Sequence, residues 1–125
     1  MWLINDDGFF STVQDYNDSD WVYVRGRSES DIAAFVTVAQ QATNDASWEA
    51  EIIHSPHRDY SWRIHTPRQI WADYLLTKAS ELSYGNFKNH CADRWMTEER
   101  DSAIERLELL HDTWMLLNHW PDQHL

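Results

Sequence analysis

The apolar residues change period along the chain, from two to about 3.6 and back again. That change constrains the fold more than any single motif, because a period of two marks a half-buried strand and 3.6 marks a helix. Trp21, Tyr23 and Arg25 alternate with Val22 and Val24, which predicts a strand. Upstream, residues 8–14 are rich in aromatic and β-branched side chains and read as its partner. Trp2-Leu3-Ile4 reads as the start of that same strand, bent at Asp6-Asp7-Gly8. The polar run 15–20 closes the pair as a hairpin.

Ser28-Glu29-Ser30-Asp31 then reads as a helix start, and Ile32, Phe35, Val36 and Ala39 follow at helical spacing. Alternation returns in residues 48–54, with Trp48, Ala50 and Ile52 on one face and Glu49 and Glu51 on the other. Residues 55–59 turn, and residues 60–65 form the return strand, with Tyr60, Trp62 and Ile64 inward and Ser61, Arg63 and His65 outward. This register predicts a ladder of Glu49 and Glu51 against Arg63 and His65. Thr66-Pro67-Arg68-Gln69 has the form of a capping box. Ile70, Trp71, Tyr74, Leu75, Ala79 and Leu82 make the apolar face of the helix that follows. Tyr84-Gly85-Asn86 breaks it, and Asn86 caps a short helix reaching about residue 94. Thr97-Glu98-Glu99 opens the last helix, with Ile104, Leu107, Leu110, Trp114, Met115 and Leu117 on its buried face and Pro121 at its end. The order is ββαββααα. The expected architecture is α+β: a four-stranded antiparallel sheet with helices packed on one face. Residues 1–125 form one domain, with two β-hairpins and an intervening helix in 1–65 and a helical half in 66–121.

Charge narrows the partners. A chain of 125 residues at net −11 repels nucleic acid and anionic lipid, so neither direct nucleic-acid nor membrane binding is expected. No run approaches the ~18 apolar residues of a membrane span, and the N-terminus lacks the pattern of a secretory leader. A single cysteine, Cys91, fits a reducing compartment, so the expected location is the cytoplasm. The acidity is uneven: residues 1–62 carry 11 acids and 3 bases, residues 63–125 carry 10 and 7.

Chemistry-bearing groups are few. His54, His57 and Asp59 share a predicted turn with His65 nearby, but no metal-ligand motif accompanies them. His111, His119 and His124 are spread along the C-terminal segment. Cys91 follows His90, and neighbours in a helix point about 100° apart, which is a poor nucleophile–base pair. No catalytic residue, metal or cofactor is therefore assigned. Of the eight Trp, Trp48, Trp62, Trp71 and Trp114 fall at inward positions, leaving Trp2, Trp21, Trp95 and Trp120 for recognition. The acids Asp15, Asp18, Asp20, Glu29 and Asp31, with Trp21, form a candidate surface for a basic protein partner. Arg25, Arg27, Arg63 and His65 form a candidate anion site. The competing assignment pairs those arginines with Asp6, Asp7 or Asp59.

Four stretches carry a resemblance. Trp2 with Gly8-Phe9-Phe10-Ser11, then Val24-Arg25-Gly26-Arg27 with Asp31, then Asp59-Tyr60-Ser61-Trp62-Arg63-Ile64, then Tyr84-Gly85-Asn86-Phe87-Lys88 together resemble a family of small uncharacterised proteins from bacteria and their phages. The resemblance implies no activity. The functional expectation is a non-enzymatic acidic interaction protein, such as a phage or mobile-element inhibitor of a host nucleic-acid machine, of the anti-CRISPR or DNA-mimic kind. The alternatives are a small anion- or nucleotide-binding domain and a small metal-dependent hydrolase.

Overall fold

The computed structural model describes the backbone of residues 1–124 and the side chains of residues 1–119. Its strands are β1 (Trp2–Asn5), β2 (Gly8–Gln14), β3 (Trp21–Gly26), β4 (Ile53–His54) and β5 (Trp62–Pro67). Its helices are α1 (Glu29–Ala42), α2 (Arg68–Ser80), α3 (Phe87–Thr97) and α4 (Ala103–His124). The chain forms two compact units, Met1–Ser83 and Tyr84–Leu125.

In the first unit the strands make one antiparallel sheet in the order β1-β2-β3-β5-β4. It has five strands rather than the expected four. The extra strand arises because the bend at Asp6-Asp7-Gly8 is a full reversal. Asn5 Oδ1 accepts the N–H groups of both Asp7 and Gly8, and Gly8 takes φ +147. A Cβ there would overlap the Asp31 carboxylate. Side chains of β3 alternate between half-buried and buried, as the period of two requires. Phe10, Val22, Val24 and Ile64 face Ile32, Phe35 and Ala39 of α1 and Ile70, Trp71 and Tyr74 of α2. The two helices therefore cover one face of the sheet. Each large apolar side chain buried this way contributes about 1.5–3 kcal/mol.

Three local expectations give way to tertiary packing. Residues 48–52 lie outside any strand. Trp48 packs against the core and donates from Nε1 to Thr66 Oγ1 at 3.0 Å, so its segment is held by a side chain and not by a ladder. The pairing of Glu49 and Glu51 with Arg63 and His65 does not form: Ile53 stands opposite Arg63. The capping box is also absent. Thr66 is a fully buried strand residue opposite Val22, Pro67 holds the cap position without a side-chain bond, and Gln69 bonds Asp73.

In the second unit α3 and α4 pack together, with Cys91 and Trp95 buried. Asn86 caps α3, accepting from the Asn89 N–H at 2.9 Å. Thr97, Glu98 and Glu99 close that helix instead of opening the next, with Glu99 and Ser102 in the left-handed region. α4 is not buried along its expected face. Ile104, Trp114, Met115 and Leu117 are exposed, and Trp114 keeps 51% of its surface, whereas Leu107 and Leu110 are half-buried. With 11 residues, α3 is half the length of the 22-residue α4 and spans only part of it. The helix continues past Pro121, and the side chains of Trp120 and His124 lie outside the described residues. Among the described residues no helix is long and apolar enough to cross a membrane.

Candidate functional site

The face of the sheet away from α1 and α2 carries the polar half of the strand alternation. Trp21, Tyr23 and Arg25 project there from β3, His65 and Arg63 from β5, and Phe9 and Ser11 from β2, as the cross-strand register requires. Arg25 and Arg63 are direct cross-strand partners. Two like charges in that position repel, so something must hold them. Arg25 is held by Ser11, donating from Nε to the carbonyl at 3.1 Å and from Nη2 to Oγ at 2.8 Å. Arg63 donates from Nη2 to the Tyr60 carbonyl at 2.9 Å. Its Nε–H is buried and meets no acceptor among the described residues. Burial first, then the charges of Arg58 and Arg25, push the Arg63 guanidinium below its ordinary pKa.

Tyr60 is the platform of this cluster. The guanidinium carbons of Arg25 and Arg27 lie 4.8 and 4.6 Å from its ring centroid, a separation at which cation–π attraction contributes about 0.5–1 kcal/mol. Phe9 meets Tyr60 edge-on, and Trp2 meets Phe9 in the same way. Tyr60 thus belongs to the cationic face and not to the helix-covered core expected for it. It precedes β5, which starts at Trp62, so the alternation of that strand does not reach it. The expected pairing of the arginines holds for one residue: Arg27 forms an exposed ion pair with Asp59 at 3.1 Å. Asp6 and Asp7 pair with Lys78 instead, at 2.8 and 3.2 Å.

Next along the sheet, His65 is sandwiched between Trp21 and Tyr23, at centroid distances of 4.7 and 4.6 Å. Its Nε2 bonds Asp15 Oδ2 at 2.8 Å. The N–H of Asn17, and then His65, hold the Asp15 carboxyl below the usual aspartate range. The structure therefore brings together all four residues of the candidate anion site. It adds Phe9, Ser11, Arg58 and Tyr60, which the sequence reading left out. Phe9, Ser11 and Tyr60 lie in the quoted stretches Gly8-Phe9-Phe10-Ser11 and Asp59-Tyr60-Ser61-Trp62-Arg63-Ile64, whereas Arg58 lies in none of them.

The candidate acids fall in two places: Asp15, Asp18 and Asp20 in the β2–β3 turn beside Trp21, and Glu29 and Asp31 in the first turn of α1. Asp18 and Asp20 are exposed in the β2–β3 turn and Glu29 is exposed in the first turn of α1. Asp31 is 4% exposed and accepts from the Phe9 N–H at 3.2 Å. His54 stacks on Trp62 at 3.8 Å. Among the described residues no group of three or more His, Cys, Asp or Glu side chains is gathered so as to hold a metal ion. One shallow concavity of about 420 Å³, lined by Thr43, Asn44, Asp45, Pro67, Gln69, Ile70 and Asp73, contains no basic side chain. Comparison of the chain with protein-family models, with curated proteins and with solved structures finds no match.

Proposed function

We propose that this protein is a non-enzymatic binding module that takes a small anionic ligand on the far face of its sheet, at Arg25, Arg27 and Arg63. The observation that carries this reading is the Arg25–Arg63 pair: two arginines opposite one another in the strand register, the second with a buried donor that meets no acceptor among the described residues. A buried unsatisfied donor costs about 1–3 kcal/mol, and an anion between these side chains removes that cost together with their repulsion. Guanidiniums stay charged at any physiological pH and move no protons, so the cluster is suited to binding and not to acid–base chemistry. An acidic docking surface for a basic partner draws less support. Asp31 is buried, and Asp15 and Trp21 are both engaged with His65.

The test is thermal unfolding in a titration of inorganic phosphate and pyrophosphate at constant ionic strength. A ligand at 100 times its dissociation constant adds about 2.7 kcal/mol of stability. The expected result is a saturable rise in melting temperature that Arg63→Met abolishes. Equal melting temperatures in phosphate and in chloride of matched ionic strength overturn the proposal.

A further inference from the structure

The aromatic row beside the arginines points to what the anion is attached to. Trp21, Tyr23 and Arg25 stand at every second residue of β3, about 6.6 Å apart along the strand. One planar ring fits in such a gap, and the His65 imidazole occupies the gap between Trp21 and Tyr23. The next gap, between Tyr23 and Arg25, has the same spacing. Its cross-strand neighbour is Arg63, whose guanidinium bonds the Tyr60 carbonyl. The Arg25 guanidinium is turned toward Ser11 and Tyr60. The ring face of Tyr23 opposite His65 therefore looks toward the cationic cluster.

We infer that the ligand is a nucleoside monophosphate, its base stacked on the Tyr23 ring on the side away from His65 and its phosphate held between Arg25 and Arg63. This rests on the anion-binding reading above. The bound base extends the Trp21–His65–Tyr23 stack by one ring, and each base–aromatic stack is worth about 1–3 kcal/mol. The phosphate supplies an acceptor for the buried Arg63 Nε–H and the neutralising charge that the cross-strand arginines lack. Charge placement favours a single phosphate over a nucleic-acid strand. Asp15, Asp18 and Asp20 stand at the turn that adjoins Trp21, and Asp59 adjoins Arg27. A longer polyanion has to pass these acids, in a chain of net charge −11.

Isothermal titration of the full chain with inorganic phosphate, adenosine, adenosine 5′-monophosphate and a ten-nucleotide single-stranded DNA separates the outcomes. Adenosine 5′-monophosphate is expected to bind at least about tenfold more tightly than inorganic phosphate, one 1.4 kcal/mol step of stacking. Tyr23→Leu is expected to erase that excess and keep phosphate binding, which also shows that the variant folds. Tyr23→Phe is expected to retain the excess. Equal affinity for nucleotide and phosphate overturns this inference and leaves the anion reading standing. Absence of binding by every anion overturns both. Tighter binding of the ten-nucleotide strand than of the mononucleotide overturns the inference in favour of a single-stranded nucleic acid.

Discussion

At the scale of single residues, Tyr74 joins parts of the chain that are far apart in sequence. Its hydroxyl donates to Asp7 Oδ2 at 2.6 Å and accepts from Asn5 Nδ2 at 2.9 Å, across 67 and 69 positions. Lys78, one helical turn further on, pairs with both Asp6 and Asp7. Burial, then the charge of Asp7, hold the Tyr74 phenol far above its ordinary pKa. Burial alone depresses a lysine, but the bond it donates to Asp6 and the charge of Asp7 hold Lys78 above its usual value. The network anchors the β1–β2 turn to α2, through the Tyr74 hydroxyl and the Lys78 ammonium, and serves as structure. Tyr74→Phe leaves a buried carboxylate short of a donor. It is expected to lower the unfolding free energy by about 1–3 kcal/mol, measured by urea denaturation. A loss below about 0.5 kcal/mol contradicts this role. Asp6 and Asp7 are recognisable as turn residues from their position before Gly8. Their partners are not, because nothing within a few residues of them specifies Tyr74 or Lys78.

At the scale of elements, the helix caps separate what is local from what is not. Ser28 accepts the Asp31 N–H at 3.3 Å in an extended conformation and starts α1 where the sequence places it. Ser28→Ala is expected to cost about 1 kcal/mol of stability, and Ser28→Asp to restore most of it; chemical denaturation reads both. Thr66 carries an equally good local signal and does not cap. Its backbone belongs to β5, opposite Val22 on a completely buried row, and its hydroxyl bonds Trp48. Burying a strand residue against two helices outweighs one cap, whose worth is about 1 kcal/mol. The same competition removes the 48–52 strand. A long polar segment between α1 and β5 needs one firm anchor, and the Trp48 indole supplies it.

Over the whole molecule, the shifted pKa values set how stability varies with pH. Lys78 and Tyr74 are both raised in the folded state, so the folded protein keeps protons that the unfolded chain releases from about pH 10 upward. Their contribution is complete below that pH and is lost as pH rises through the folded values. Asp15 is lowered, so its contribution is complete above the ordinary aspartate range near pH 4 and is lost as pH falls through its folded value. Urea unfolding from pH 7 to 11 is expected to show declining stability above about pH 10, with a shallower decline in Tyr74→Phe. A flat profile over that range contradicts the assignment. The periods of the sequence alone determine that β2, β3, α1 and α2 exist, which residues start α1 and α3, that Arg25 shares a face with Trp21 and Tyr23, and that His65 faces away from the core. Those properties depend on neighbours within about four positions, where side-chain direction is set by the backbone itself. Tertiary structure decides that the Asp6–Gly8 bend is a reversal giving a fifth strand, that Tyr60 lies under two arginines, that Asp31 is interior, and that Trp114 is exposed. It also sets Arg63 opposite Arg25, which makes the binding face. Each of these depends on register or burial against segments tens of residues away. The free energy that selects among them comes from packing and long-range hydrogen bonds, which local periodicity does not encode.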